Sequence, residues 1–300
     1  MEDIEQRIEQ VRNDREHGSR WLVRESVLIM HDLAQDTSSS QDERMKRLYA
    51  VARQLAHARP SMAALSSAVG RILNVQGGPD AVAQEAEHLL QEYDTATTQI
   101  ATHAKPFLHG KLMTCSISGT VLDVLVACRQ NIEHITVLEG RPRYEGRDMA
   151  KALSQQGIVV TLITDAQADI FMPQCDGVVV GADSILANGD VLNKAGTALL
   201  GWSASGRHIP FYVLCETLKI SPQSWSEQPE HMADNLALLE EKEAEEVLER
   251  SISGVTARNF YFDHTLYKLV SKLITERGIL SQQEVAKIAD QARINEEHMQ

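Results

Sequence analysis

The chain has 300 residues, of which 43% are hydrophobic and 24% are charged. This composition is typical of a globular protein with one large hydrophobic core or two smaller ones. A formal net charge of -13 disfavours sequence-independent binding to a nucleic-acid backbone, which requires clustered lysine and arginine. The N-terminus is too acidic for a secretory signal, and no apolar run reaches the roughly 20 residues of a membrane span. We therefore expect a cytoplasmic protein that binds neither nucleic acid nor a membrane.

The N-terminal part of the chain carries apolar side chains at helical spacing, which predicts helices. Glycine and proline punctuate these runs at residue 60 and at residues 77–79. The sequence therefore predicts an N-terminal helical domain over residues 1–108. The apolar positions include Trp21, Val27, Met30, Leu48, Val51, Leu55, Val82, Ala86 and Leu89.

From residue 109 onward, short apolar runs alternate with amphipathic stretches, a pattern typical of a parallel sheet with crossover helices. The fold class is therefore α/β, with a Rossmann-like parallel-sheet domain over residues 109–300. Ligands of such sheets bind outside the carboxyl ends of the strands. Predicted strands cover residues 112–117, 135–138, 158–163, 177–180 and 209–214. Predicted helices cover residues 120–130, 147–156 and 193–205.

The strand predicted over residues 177–180 ends in Gly181-Ala182-Asp183, and Asn193 and Lys194 follow at the predicted start of a helix. A carboxylate at a strand end suits a general acid or base, and a lysine suits a phosphate or a developing enolate oxygen. A simpler alternative is that Asp183 only caps a helix.

Three arginines follow the strand predicted over residues 135–138. Guanidinium groups at a strand end suit phosphate oxygens, although pairing with Glu139 and Glu145 is an equally good interpretation. The arginines are Arg141, Arg143 and Arg147.

The strand predicted over residues 112–117 leaves small hydroxyls and the Cys115 thiol at the entrance to a helix, where backbone amides suit an anion. A single cysteine in such a place is more typical of a buried apolar residue than of a nucleophile. The four cysteines form no Cys-x-x-Cys pair, so we expect reduced thiols, no metal and no cofactor. The acidic stretch over residues 227–249 is interpreted as an exposed helix or loop with a solvated face.

Taken in order, these segments resemble the family of translation initiation factor 2B α, β and δ subunits, ribose-1,5-bisphosphate isomerase and 5-methylthioribose-1-phosphate isomerase. The resemblance implies a sugar-phosphate isomerase/CoA-transferase-like fold, a homodimer, and a phosphorylated sugar or nucleotide as ligand. The matching motifs are Gly-Ala-Asp (181–183), Asn-Gly-Asp-Val (188–191), Asn-Lys-x-Gly-Thr (193–197), Ile-Pro-Phe-Tyr-Val (209–213), Arg-Pro-x-x-x-Gly (141–146), Thr-Asp (164–165) and Phe-Asp-x-Thr (262–265).

In the isomerases of this family, a cysteine and the aspartate of Gly-Ala-Asp open the sugar and move hydrogen between its first two carbons. Asp183 matches that aspartate. If Thr114 matches the family's threonine, Cys115 stands where a histidine is expected and Ser116 where the catalytic cysteine is expected. Successive side chains of a strand point to opposite faces, and a serine hydroxyl does not replace a thiolate without a base beside it.

Three hypotheses follow. The first is a protein of the initiation factor 2B type that binds a phosphorylated sugar or nucleotide. The second is an active aldose-ketose isomerase of a pentose phosphate such as ribose 1,5-bisphosphate, with Asp183, Cys115 and Ser116 as candidate catalytic residues. The third is a subunit that binds no ligand. The serine at position 116 favours the first hypothesis over the second. By resemblance, the ligand-binding residues are Gly18, Ser19, Arg20, Arg141, Arg143, Asn193 and Lys194.

Overall fold

The computed structural model describes residues 4–14 and 17–299 of the chain. Its N-terminal part is helical, as the apolar spacing predicts. The third helix begins with a capping box, in which Ser40 and Glu43 satisfy each other's backbone amides. The helices are α1 (Ile4–Asn13), α2 (Ser19–Gln35), α3 (Gln41–Ala56), α4 (Ala63–Leu73) and α5 (Pro79–Ala104).

The rest of the described chain alternates strands with helices. The strands are β1 (Gly110–Cys115), β2 (Ile132–Leu138), β3 (Val160–Ile163), β4 (Gly177–Val180), β5 (Ser184–Ile185), β6 (Val191–Lys194), β7 (Phe211–Leu214), β8 (Glu241–Lys242), β9 (Asn259–Phe260), β10 (Phe262–Thr265), β11 (Lys272–Thr275) and β12 (Gly278–Leu280). The helices are α6 (Gly119–Ala127), α7 (Glu145–Gln155), α8 (Ala168–Phe171), α9 (Thr197–Gly206), α10 (Met232–Ala237) and α11 (Gln282–Glu297).

Seven of the described strands form one sheet in the order β12-β11-β7-β4-β1-β2-β3. Neighbouring strands are parallel except β12, which pairs antiparallel with β11. These observations confirm the α/β class with a mostly parallel central sheet. The chain runs from β1 outward to β2 and β3, and then returns to β4 on the other side of β1. The carboxyl ends of β1 and β4 therefore form the crevice in which ligands of such sheets bind.

Three groups of buried apolar side chains hold the fold together. One lies among helices α1 to α4 and the first half of α5. The other two lie on opposite faces of the sheet, one under α8, α9 and α11 and one under α6, α7 and the second half of α5. Helix α5 contributes to the first group through Val82 and Leu89 and to the third through Ile100 and Ala104, so it joins the N-terminal helices to the sheet. None of the helices in the described ranges is both long and apolar enough to cross a membrane.

The five predicted strands correspond to β1, β2, β3, β4 and β7, but the helix predicted over residues 193–205 is wrong at its start. Asn193 and Lys194 lie on β6, which pairs antiparallel with β10. Helix α9 begins only at Thr197, because the Asp263 carboxylate on β10 accepts hydrogen bonds from the amides of Gly196 (2.7 Å) and Ala198 (3.0 Å). A strand close to the C-terminus therefore determines where this helix starts.

Gly146, in the first turn of α7, tests how closely the backbone of α7 packs against the end of β2. An added Cβ would lie 1.8 Å from the Leu138 carbonyl oxygen. This oxygen belongs to the backbone and cannot move away by a side-chain rotation. We expect Gly146→Ala to lower the free energy of unfolding by about 3 kcal/mol, measured by urea denaturation. Gly206→Ala at the end of α9, where the new Cβ meets no atom within 4 Å, is the control and is expected to be neutral or slightly stabilising. Equal effects of both variants would contradict this packing.

Candidate functional site

A cavity of about 770 Å³ lies at the carboxyl ends of β1 and β4. The loop after β1 and the loop after β4 form its floor, and residues of α1, α2 and β6 form its walls. The two loops approach closely, since a Cβ on Gly181 would lie 2.9 Å from the Ser118 hydroxyl oxygen. The cavity therefore occupies the crevice expected from the order of the strands.

Asp183 lines this cavity between β4 and β5, and its amide donates a hydrogen bond to the Leu192 carbonyl (2.9 Å). The interpretation of Asp183 as a helix cap is wrong, because the strand β5 follows it. Burial raises the pKa of the carboxyl, the charge of Glu240 raises it further, and the nearby cations Lys219 and Arg59 only partly oppose this. A raised pKa favours the protonated form, which can act as a general acid.

Asn193 and Lys194 reach the same cavity from β6, and both are buried. The Lys194 ammonium lies 2.8 Å from Glu145 Oε1 and 4.5 Å from the centre of the Tyr261 ring. The Asn193 side-chain amide donates a hydrogen bond to the Thr197 hydroxyl (2.9 Å). These contacts fix the lysine at the cavity wall with a carboxylate as its partner.

The loop after β1 brings both Cys115 and Ser116 to the cavity. The Cys115 sulfur lies 3.7 Å from the Thr197 hydroxyl oxygen, and burial raises the pKa of the thiol to about 12. Ser116 follows the last residue of β1 and has φ = 58°, in the left-handed region. Strict alternation of faces therefore ends at Cys115, and both side chains lie at the site. A thiol with so high a pKa carries little thiolate at neutral pH.

Of the predicted arginines, Arg143 lines the cavity, where its side chain hydrogen-bonds with the Tyr261 hydroxyl. The structure does not bring Arg141 into the cavity. Its guanidinium donates to the Tyr144 hydroxyl (2.7 Å), and its amide donates to the Asp165 carboxylate (2.8 Å). The Thr-Asp motif thus anchors the backbone of this loop.

Gly18, Ser19 and Arg20 line the outer part of the cavity at the start of α2. The Arg20 guanidinium lies 2.7 Å from the exposed Asp123 carboxylate. Beside them the rings of His17 and Trp21 stack with their centres 4.2 Å apart. The N-terminal helices therefore complete a site whose floor belongs to the sheet.

Three cations that the sequence motifs miss also line the cavity: Arg59, Lys219 and Lys242. Lys219 is buried just beyond the carboxyl end of β7, with its ammonium 3.5 Å from the Glu216 carboxylate. Burial alone lowers the pKa of Lys219, but the charges of Glu216 and Asp183 raise it above its ordinary value. Its place after a predicted strand is a signal that sequence analysis can use.

Most of the acidic stretch over residues 227–249 is exposed or half-buried, as expected, but Glu240 is an exception. Its side chain is buried, and its carboxylate accepts two hydrogen bonds from Arg59 (3.3 and 3.1 Å) and one from the Ser61 hydroxyl. The Lys242 ammonium lies 2.9 Å from the same carboxylate. These contacts keep the pKa of Glu240 below its ordinary value although burial opposes this. No local sequence pattern predicts the contacts with Arg59 and Ser61, because these residues lie about 180 residues away in sequence.

Within the described residues, no group of histidine, cysteine, aspartate and glutamate side chains is arranged to hold a metal ion. The cations that line the cavity with the carboxyl of Asp183 include Arg59, Lys194, Lys219 and Lys242. Cations so placed suit the oxygens of a small anionic ligand.

Fold and site together define an α/β protein with a charged cavity at the point where the order of the parallel strands reverses. Comparison with known proteins makes this assignment specific. The chain belongs to the initiation factor 2 subunit family, whose profile matches residues 15–282.

Two curated relatives are isomerases. The ribose 1,5-bisphosphate isomerase of Archaeoglobus fulgidus is 30% identical over 93% of this chain and 90% of its own length. A methylthioribose-1-phosphate isomerase of Anaeromyxobacter is 37% identical over 78% of this chain and 74% of its own. The solved structure of a Pyrococcus horikoshii translation initiation factor eIF-2B is similar with a TM-score of 0.79 and 28% identity, covering 93% of this chain and 97% of that one.

Asp183→Asn tests whether the buried, charged carboxylate of Asp183 destabilises the folded protein. Because the pKa is raised in the folded protein, the stability that protonation contributes is present below the unfolded pKa and is lost as pH rises through the folded pKa. We expect the asparagine variant to be more stable than the wild type at pH 7.5 in urea denaturation, with the gain shrinking toward pH 4. Asp148→Asn, at an exposed position on α7, is the control. A gain that grows on acidification would contradict this assignment.

Proposed function

We propose that the chain binds a phosphorylated sugar or nucleotide in the cavity, as a protein of the initiation factor 2B type. The observation that carries this proposal is the pair of buried lysines, Lys194 and Lys219, which converge on one cavity in a chain with net charge -13. Burying an ammonium costs free energy, so two of them in one wall suggest a ligand of opposite charge. Each lysine has one carboxylate partner, Glu145 for Lys194 and Glu216 for Lys219.

The floor of the cavity supports the same ligand class. Helix α6 begins there, and its first residue, Gly119, lines the cavity together with Ser118 and Thr120. Unpaired backbone amides at a helix N-terminus, with the helix dipole behind them, favour a phosphate group. A phosphate in this place would lie between the α6 amides and the lysines.

Ligand binding is tested by thermal unfolding in the presence of ribose 5-phosphate, ribose 1,5-bisphosphate and adenosine monophosphate. A ligand at one hundred times its Kd stabilises the folded state by about 2.7 kcal/mol, so we expect the midpoint to rise by several degrees with at least one of these compounds. Lys194→Ala should lose most of the ligand-induced rise, whereas Lys151→Ala, at an exposed position on α7, should keep it. No rise with any compound, or a full rise in Lys194→Ala, would count against the cavity as the site.

A second candidate function is aldose-ketose isomerisation. The observation that favours it is the raised pKa of Asp183 inside the cavity, in a chain that is 30% identical to a ribose 1,5-bisphosphate isomerase. We expect the wild-type protein to convert ribose 1,5-bisphosphate to the ketose, and Asp183→Asn to lower the rate at least about 100-fold, as loss of a general acid does. Phosphorus NMR follows the product. Turnover unaffected by Asp183→Asn would exclude this role of the carboxyl.

We also propose that the chain forms a homodimer, and that α9 lies at the interface. Leu200 and Ala204 of this helix are buried against the sheet, whereas Leu199 and Trp202 are 67% and 53% exposed. A helix that is apolar on both sides is typical of one covered on both sides. A second copy of the chain is the covering partner that the family resemblance implies. The four free cysteines fit the cytoplasmic location that we propose with it.

The dimer is tested by light scattering on the purified protein. We expect the mass of two chains for the wild type and of one chain for Trp202→Glu, because a carboxylate in an apolar interface is costly. Ser154→Glu, at an exposed position on α7 on the other face of the sheet, should leave the dimer intact. A wild-type protein that is monomeric at micromolar concentration would contradict the proposal.

A further inference from the structure

Glu145, the ion-pair partner of Lys194, has an unusual environment. It is the first residue of α7 and lines the cavity. One carboxylate oxygen, Oε1, lies 2.8 Å from the Lys194 ammonium. The other, Oε2, is buried and has no hydrogen-bond partner among the described residues. A buried acceptor without a partner costs free energy, so a group of this kind in a cavity suggests a role in chemistry.

The unpartnered oxygen lies close to the loop after β1. A Cβ on Gly140 would be 3.4 Å from Glu145 Oε2 and 3.4 Å from the Ser116 Cα. The distance between Glu145 Oε2 and the Ser116 Cα is therefore at most the sum of these two distances. Gly140 has φ = 73° and no side chain, so no side chain of residue 140 stands between them. The carboxylate thus lies beside the position at which the family resemblance places a catalytic cysteine.

The pairing with Lys194 brings Glu145 into the same group of charges as Asp183. Lys194 is near enough to Asp183 for its charge to oppose the rise in the pKa of that carboxyl. Two carboxyl groups in one cavity therefore stand in different environments, Asp183 buried with raised pKa and Glu145 in an ion pair. The two carboxyl groups can therefore take different roles toward one ligand in the cavity.

We propose that Glu145 is the second catalytic residue of this cavity and acts as the base that removes the C2 proton of a bound aldose phosphate. The inference rests on the proposed binding of a phosphorylated sugar. It goes beyond that function by assigning to a carboxylate the role for which Cys115 is too buried and Ser116 too weakly acidic.

The reaction balances with these two groups alone. The Asp183 carboxyl gives its proton to the ring oxygen of ribose 1,5-bisphosphate as the bond between that oxygen and C1 breaks. Glu145 takes the proton from C2, and the electron pair of the C2–H bond forms the C1=C2 double bond of an enol. Glu145 then returns its proton to C1, and the Asp183 carboxylate takes the proton from the C2 hydroxyl as the ketone forms. No oxidant, reductant or further reactant is consumed, and both groups end in their starting state.

The experiment compares the wild type, Glu145→Gln and Asp148→Asn with ribose 1,5-bisphosphate as the probe. Binding is measured by the ligand-induced rise in thermal midpoint, and ketose formation by phosphorus NMR. We expect Glu145→Gln to bind the probe at least as well as the wild type, because Lys194 loses its competing carboxylate. We expect its rate of ketose formation to fall at least about 100-fold, as loss of a general base does. Asp148→Asn removes a carboxylate from the exposed side of the same helical turn and should change neither quantity.

Chemical rescue distinguishes a base from a residue that only positions Lys194. Adding formate to Glu145→Ala should restore part of the ketose formation, because a small carboxylate can enter the space left by the side chain and accept the proton. A variant that loses activity only through a displaced lysine gains nothing from formate, and that outcome would overturn the inference.

The remaining outcomes separate the inference from the function on which it rests. If the wild type binds the probe but forms no ketose, the catalytic role of Glu145 is wrong and the binding function stands. If Glu145→Gln forms ketose at the wild-type rate, another group is the base and the inference is wrong. If the probe does not bind to the wild type, the proposed binding of this sugar phosphate fails together with the inference.

Discussion

The parallel pairing of β1 with β4 is the constraint on which the rest of the site depends. These strands are not consecutive in the chain, and their adjacency places the loop of residues 116–118 and the start of α6 beside Gly181-Ala182-Asp183. The close contact of Gly181 with Ser118 leaves no room for a side chain between the loops. Because β7 pairs with β4 on its other side, Lys219 reaches the same cavity. One arrangement of strands therefore brings together an acid, an anion-binding helix end and a buried lysine.

The cavity combines binding groups with a cost in stability. Two buried and two half-buried cations of the cavity have carboxylate partners: Glu145 for Lys194, Glu216 for Lys219, and Glu240 for Arg59 and Lys242. In such ion pairs the attraction between the charges offsets the free-energy cost of their lost hydration only partly. Removing one partner leaves an uncompensated buried charge. Asp183 also lowers the stability of the folded protein when it is charged, since burial disfavours its charged form and raises its pKa. Sites in which function and stability conflict are common among natural proteins.

Local sequence pattern predicts the sheet well and the cavity only in part. The predicted strand over residues 177–180 coincides with β4, because four consecutive apolar residues between turn signals are typical of a strand buried on both faces. Asn193 and Lys194 were predicted on a helix but lie on β6, since their partner strand β10 comes about 70 residues later. Periodicity within a short window carries no information about such a partner.

The same limit explains Arg59 and Glu240. Neither residue belongs to a motif, and the acidic stretch around Glu240 is typical of a solvated surface. They form a pair only because the connection between α3 and α4 meets the residue before β8, a contact between segments about 180 residues apart. Glu145 was recognised in the sequence only as a partner for arginines, whereas the structure pairs it with Lys194 from another strand. Residues that act across elements thus require the three-dimensional structure.

A crystal structure of the protein soaked with ribose 1,5-bisphosphate tests the central claim most directly. The account predicts a phosphate group within hydrogen-bond distance of the Lys194 ammonium, with the sugar carbons between the Asp183 and Glu145 carboxyl groups. A sugar phosphate bound elsewhere on the molecule, with the Lys194–Glu145 pair unchanged, would contradict it.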